Sequence, residues 1–271
     1  MPIIHLLGLI LSGFNRHRAF PVLVSRELMR TIKQPSRLMG IVAQPLIFWA
    51  IMGSGFVNSF QLSEDPSSKY ANFFFPGMLA MVILFSTIFN TITLIEDRNS
   101  GFMQSVLVSP SSRNSIVAGK IGGVALISFI QTAILLALAS AVGIEWVNLR
   151  WIYGLGIMII GTVALAGAGF ILAWLSPTTS SYHAVMSAVL IPLWLVSGAV
   201  FPVQSTWLQY IVWINPMSWL VVGLRAFFNN GRVPLGVAPE WLTAETAFIL
   251  LSIFAVSSYV GSVLVCERKK L

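Results

Sequence analysis

The sequence predicts an all-α integral membrane protein: six transmembrane helices, an N-terminal amphipathic interfacial helix, and an extracytoplasmic re-entrant hairpin between spans five and six. Three observations carry this reading. Hydrophobic residues are 56% of the 271 and charged residues 9%, against roughly 25% charged in soluble chains, and the mean hydropathy is +0.85. Too few charges remain to cover a soluble surface. Several stretches free of Asp, Glu, Lys and Arg reach the length of about 20 residues that a helix rising about 1.5 Å per residue needs to cross a bilayer. The basic residues then fall mostly on one side of those stretches.

Taken in order, the cytoplasmic N-terminus covers 1–37. Its apolar run at 3–11 lacks a basic region before it and an A-x-A-like exit after it, so no cleaved signal is expected. From Phe20 onward the chain is amphipathic. Phe20, Val24, Leu28 and Ile32 share one helical arc, and Arg26, Arg30, Lys33 and Arg37 share another, the pattern of a helix lying on the cytoplasmic leaflet. Pro35 then turns the chain toward the membrane. The interfacial residues are Arg26, Glu27, Arg30 and Lys33. Anchoring to anionic lipid accounts for them; bordering the docking site of a cytoplasmic partner is the second reading.

Spans are expected at about 38–60, 71–95 and 121–144. Residues 151–224 then carry no formal charge. A polar break at 176–181 divides them into spans at 151–175 and 182–202. Residues 203–224 are apolar but interrupted by Gln204, Gln209, Asn215 and Pro216. A helix broken in this way leaves backbone groups unsatisfied in lipid, so 203–228 is read as a hairpin that enters and leaves on one side. The sixth span is 246–266. With this count the positive-inside rule places all 16 basic residues in the cytoplasm except Lys69, Arg150, Arg225 and Arg232, and both termini face inward. The net charge of +7 is thereby a membrane-face signature, and nucleic-acid binding is not expected.

No catalytic constellation stands out. His5, His17 and His183 are scattered and Cys266 is the only cysteine, so no metal site is expected. Gly119-Lys120 lacks the surroundings of a phosphate loop, with Asn114 where a glycine is needed and Ile121 where Ser or Thr is needed. No acidic residue sits deep in a span, which argues against self-powered secondary transport. The small residues of 161–169 permit close helix packing.

Two stretches carry a family resemblance. The first runs from Phe75-Pro76-Gly77 through the second span to Glu96-Asp97-Arg98, Gly101-Phe102, Ser109-Pro110, Ser112-Arg113 and Gly119-Lys120. The second is Ser197-Gly198-Ala199-Val200-Phe201-Pro202, then Trp207-Leu208, Asn215-Pro216-Met217-Ser218-Trp219 and Leu224-Arg225. In this order they resemble the transmembrane permease of type-2 ATP-binding-cassette (ABC) exporters, over nearly the whole chain. The resemblance implies a pore formed as a dimer, homomeric or with a similar permease, each half docking a separate ATPase subunit. ATP and Mg would sit on that partner and no cofactor on this chain. The expected cargo is an amphipathic drug-like molecule, lipid or lipid-linked glycan leaving across the cytoplasmic membrane, and this chain is not itself an enzyme. A non-transporting membrane scaffold and a secondary carrier are the alternatives.

Two sites follow. In the loop 96–120, Glu96-Asp97-Arg98 is the densest mixed-charge cluster of the chain, and Gly101 supplies a corner. Phe102, Met103, Val106 and Leu107 make a short apolar face that is expected to project from the membrane until Ser109-Pro110 ends it. Such a face needs cover, from lipid headgroups or from a partner's groove. The resemblance implies that this is the coupling helix, with Glu96, Asp97, Arg98, Gly101, Phe102, Val106 and Leu107 serving the ATPase contact. Glu96 and Asp97 are expected to pair with Arg26 or Arg30. At the outer side, Asn215 is positioned to cap a helix that starts at Pro216. With Phe201, Pro202, Trp207 and Trp219 it forms a candidate outer gate, and the tryptophans suit the headgroup layer.

Overall fold

The computed structural model describes residues 19–34, 39, 43, 46–48, 50–51, 70–138, 150–201, 206–233, 238–239 and 241–268. The first expected span, 38–60, lies outside the described residues except for helical positions at 39, 43, 46–48, 50 and 51; Arg37, Pro202 and Glu240 also lie outside them. The described elements are α1 (Ala19–Ile32), α2 (Tyr70–Asn99), α3 (Phe102–Val108), α4 (Arg113–Ala137), α5 (Trp151–Leu175), α6 (Thr179–Ala199), α7 (Thr206–Ile214), α8 (Pro216–Phe228) and α9 (Ala244–Arg268). No strand occurs among the described residues. Five of these helices, α2, α4, α5, α6 and α9, are long and apolar enough to cross a membrane, and α7 and α8 form a pair bent by 86°.

The second helix is the axis of the bundle. Its most apolar window is 94% buried, wrapped by α4, α5, α8 and the end of α6. Burial in an apolar setting obliges its polar residues to bond within the protein. Thr87 donates to the Ile83 carbonyl at 2.8 Å, Asn90 Nδ2 to the Ser86 carbonyl at 2.8 Å, and Ser86 Oγ to Ser128 Oγ of α4 at 2.8 Å.

The ninth helix runs parallel to α5. Tyr153 near the start of α5 donates to the Ala244 carbonyl at 2.8 Å, and Ser262 farther along α9 donates to the Gly167 carbonyl at 3.1 Å. The approach depends on Gly167, where a Cβ would stand 2.5 Å from Ser258 Oγ. The small residues of 161–169 thus form part of the line along which α5 meets its neighbours.

The outer faces are apolar. Leu126, Ile130, Ile134 and Leu138 are exposed along α4 and its end, and Ile249, Ile253, Val256, Val260 and Leu264 along α9. Stripes of this length at helical spacing fit contact with lipid chains. Charges and hydrogen-bonding groups inside with aliphatic stripes outside is the arrangement of a membrane protein.

Helix α6 departs from regular geometry. It begins with a capping box at Thr178 and Ser181, contains π-helical segments at Met186–Leu190 and Leu195–Ala199, and breaks at Gly198, whose φ of 79° suits glycine. Side chains from α8 meet the loosened end: Arg225 Nη2 donates to the Gly198 carbonyl at 2.6 Å, and Asn215 Nδ2 to the Leu193 carbonyl at 2.7 Å.

Replacing Gly167 by Leu should force α9 off α5 and destabilise the chain by about 1–3 kcal/mol or more, the usual cost of overpacking. Thermal melting of the detergent-purified protein checks this. A melting temperature equal to that of the unsubstituted chain would contradict the close α5–α9 packing.

Candidate functional site: the charged corner between the second and third helices

Helix α1 does not bury the arc of Phe20, Val24, Leu28 and Ile32. Phe20 and Ile32 are exposed and Val24 and Leu28 half-buried, whereas Leu23, Glu27 and Thr31 are buried. The arc expected to face the leaflet is thus not the side that packs on the bundle. The reason lies on α4: a Cβ at Gly119 would stand 2.9 Å from Leu23 Cβ, and one at Gly123 would stand 3.0 Å from Glu27 Cβ. The glycines form a groove that α1 occupies, and Lys120 between them supplies the cation that permits Glu27 to be buried.

Six charged side chains converge there. Arg26 grips Asp97 with both guanidinium nitrogens at 2.7 Å. Arg30 reaches Asp97 Oδ1 at 3.3 Å and also bonds Glu96. Lys120, 2% exposed, donates to both Glu27 and Asp97. Glu27 further accepts from Thr93 Oγ1 at 3.1 Å. Three cations and three anions balance, as buried charge requires. The hydrogen bonds that Arg26 donates to Asp97 hold its guanidinium above its ordinary value, against the opposing effect of desolvation.

Arg98 turns the other way. It donates to the Trp174 carbonyl at 3.0 Å, the Pro177 carbonyl at 3.2 Å and the Ser176 carbonyl, satisfying carbonyls left open at the end of α5. Consecutive residues of α2 therefore bind α1 and α5 from opposite sides. Gly101, at φ 77°, makes the corner into α3, and no atom would crowd a side chain there. Backbone conformation alone calls for glycine.

The expected apolar face of α3 is turned inward, which corrects the reading of a face projecting from the membrane. Met103 is fully buried, and Phe102, Val106 and Leu107 pack against the core. Phe102 lies beneath the Arg26 guanidinium, 3.7 Å from ring centroid to Cζ. The chain covers Met103 fully and the other three in part. What α3 presents outward is Gln104, Ser105 and Val108, the last 84% exposed. Lys33 is exposed beyond α1 and stands apart from the cluster.

The outer set is brought together only in part. Asn215 is buried and caps α8 by accepting from Met217 N at 3.0 Å, with Pro216 at the first helical position. Trp219 Nε1 donates to the Trp213 carbonyl at 3.0 Å, while Trp207 and Phe201 are exposed. Arg225, assigned by the sequence reading to an extracytoplasmic segment, is 1% exposed; it holds Gly198 and lies 4.2 Å from the Phe73 ring centroid. Glu27, Lys120 and Arg225 are thus central residues whose contacts the sequence reading did not draw. The only signal for the first pair was the glycine spacing around Lys120.

Residues 18–229 match the family model described as ABC-2 type transporter. Among similar proteins, ycf38 of Cyanophora paradoxa, which its name describes as a transport permease, is 27% identical over 87% of this chain and 80% of its own length. Nodulation protein J of Neorhizobium galegae is 29% identical over 74% of this chain and 77% of its own. YbhR of Escherichia coli K12, named as a multidrug ABC transporter permease, is 28% identical over 56% of this chain and 42% of its own.

Replacing Lys120 by Met should destabilise the chain by about 3–5 kcal/mol, because Glu27 would keep its charge without its closest cation. The double variant Glu27→Leu/Lys120→Met should recover part of that loss, since Asp97 retains Arg26 and Arg30. A double-mutant cycle read by thermal melting checks the coupling; additive effects would mean that the pair does not act as a unit.

Proposed function

The chain belongs to the ABC-2 type transporter family, and from that premise we propose that it is the permease half of an ATP-driven exporter, powered by a separate ATPase subunit. It works as a dimer with a second permease, identical or homologous. Its cargo is an amphipathic compound such as a drug-like molecule, a lipid or a lipid-linked glycan, moved outward across the cytoplasmic membrane. Both termini, α1 and α3 lie on the cytoplasmic side.

The observation that carries the coupling reading is the charged corner. A push on α3 is transmitted along four routes. It passes to α2 through the Gly101 corner and to α1 through Phe102 beneath Arg26. It passes to α4 through Lys120 on Asp97, and to α5 through Arg98 on its terminal carbonyls. A rigid, charge-locked end of this kind lets a force applied at one short helix move the bundle as a body. In this reading Glu96, Asp97, Arg98, Gly101, Phe102, Val106 and Leu107 build and hold the coupling helix, and Gln104, Ser105 and Val108 meet the ATPase. The relative YbhR, named as a multidrug ABC transporter permease, supports an amphipathic cargo.

Replacing Val108 by Asp together with Gln104 by Arg should reduce co-purification of the co-expressed ATPase at least about tenfold, a loss of about 1.4 kcal/mol or more in association. The melting temperature of the permease should change little, because Val108 is exposed and Gln104 gives up only one exposed hydrogen bond, to the Arg98 carbonyl at 3.2 Å. Undiminished association and transport would refute the coupling assignment. Topology has its own test. Cys266 is buried, so cysteines placed at Arg232 and at Pro110 report without background. Arg232→Cys should react with an impermeant thiol reagent in intact cells, and Pro110→Cys only after permeabilisation. The reverse pattern would overturn the orientation.

A further inference from the structure

Helices α5 and α9 start at the same level, and between their first turns lies an open groove of about 970 Å³. Its walls are apolar: Trp151, Phe248 and Ile249 line it, with Gly156 against the Phe248 ring, where a Cβ would stand 3.2 Å from Cε2. Two opposite charges stand on its rim, Arg150 immediately before α5 and Glu245 in the first turn of α9. Both are exposed, and they form no ion pair with each other within 4.0 Å. Two helices that begin at a membrane face therefore frame a hydrocarbon-lined slot topped, among the described residues, by one cation and one anion.

We propose that this groove binds a phospholipid whose zwitterionic headgroup carries a primary amine, a phosphatidylethanolamine. The Arg150 guanidinium takes the phosphate, for which its fork of donors is suited. The Glu245 carboxylate takes the ammonium, which donates hydrogen bonds that a quaternary amine lacks. One acyl chain lies along Trp151, Phe248 and Ile249. The volume is of the order of known ligand pockets, and the rim offers one charge of each sign, as a zwitterionic headgroup requires. An anionic lipid with a glycerol headgroup satisfies Arg150 but leaves Glu245 facing a group without positive charge. A choline lipid supplies charge without hydrogen bonds. The proposal rests on the membrane setting of α5 and α9, not on the exporter reading.

The test is native mass spectrometry of the full chain, delipidated in neutral detergent and exposed to equal amounts of phosphatidylethanolamine, phosphatidylglycerol and phosphatidylcholine. Phosphatidylethanolamine should be retained about tenfold over the other two, the worth of one charge-assisted hydrogen bond. Glu245→Gln should abolish that preference while total retained lipid stays similar. Arg150→Gln should lower retention of all three lipids about equally. Ile249→Trp, which fills the slot from its exposed rim, should do the same without touching a charge, and so guards against a folding defect at Arg150. Equal retention of the three lipids by the unsubstituted chain, or a preference that survives Glu245→Gln, would overturn the proposal. ATPase co-purification measured on the same variants should be unchanged; its absence in the unsubstituted chain would count against the exporter reading and leave the lipid result standing.

Discussion

Lys120 is almost wholly withdrawn from solvent, and the architecture around it follows from keeping that charge. An ammonium group away from water needs anions and hydrogen-bond acceptors within reach. Glu27 comes from α1 and Asp97 from α2, and each then needs more than a share of one cation. Arg26 and Arg30 complete the set. The consequence is structural before it is functional. Helix α1 cannot rest on the membrane as an independent float, because its buried edge is a polar edge fitted to α4. The glycines flanking Lys120 are part of the same solution, since a larger residue at Gly119 or Gly123 would hold Glu27 away from its partner.

The same constraint operates at the other end of the bundle with backbone carbonyls in place of charges. A π-helical turn and a break at Gly198 disturb the regular pairing of α6. Asn215 and Arg225 bring donors to carbonyls in that region. Asn215 performs two tasks at once: its oxygen caps α8 while its nitrogen holds α6. The sharp bend between α7 and α8 is therefore built into the packing, with its apex side chain bonded in both directions.

Hydropathy made the long helices legible, because whether a residue belongs in hydrocarbon is a property of that residue. The Gly101 corner and the Asn215-Pro216 cap were legible too, since both are set by local backbone chemistry. The buried side of α1 was not. Its apolar arc is real, but the energy that orients the helix comes from Lys120, 93 positions from Glu27 in sequence, and a helical wheel contains no such partner. The α3 face failed for a related reason. Four apolar residues on a short helix signal burial without naming the cover, and here Arg26 and the chain's own core supply cover. Arg225 was placed in the hairpin on the extracytoplasmic side without its burial being foreseen, because nothing in the residues around it announces that α6 will present an open carbonyl.

These placements bear on what the chain can offer a passing molecule. Ser86, Thr87, Asn90, Thr91 and Thr93 would, on a wheel, mark α2 as a polar lining. All five are buried and all bond to the chain itself, with Thr93 reaching as far as Glu27. A second copy docking alongside would meet none of them without dismantling this core. Among the described residues, large apolar side chains are exposed on α1, α3, α4, α5, α6, α7 and α9, and those of α4, α6 and α9 are aliphatic. Selectivity on such surfaces comes from shape and apolar area, with discrimination of only about 1–3 kcal/mol per methylene-sized change. The polar groups of α2 that could otherwise impose strict recognition are already committed to holding the helices together.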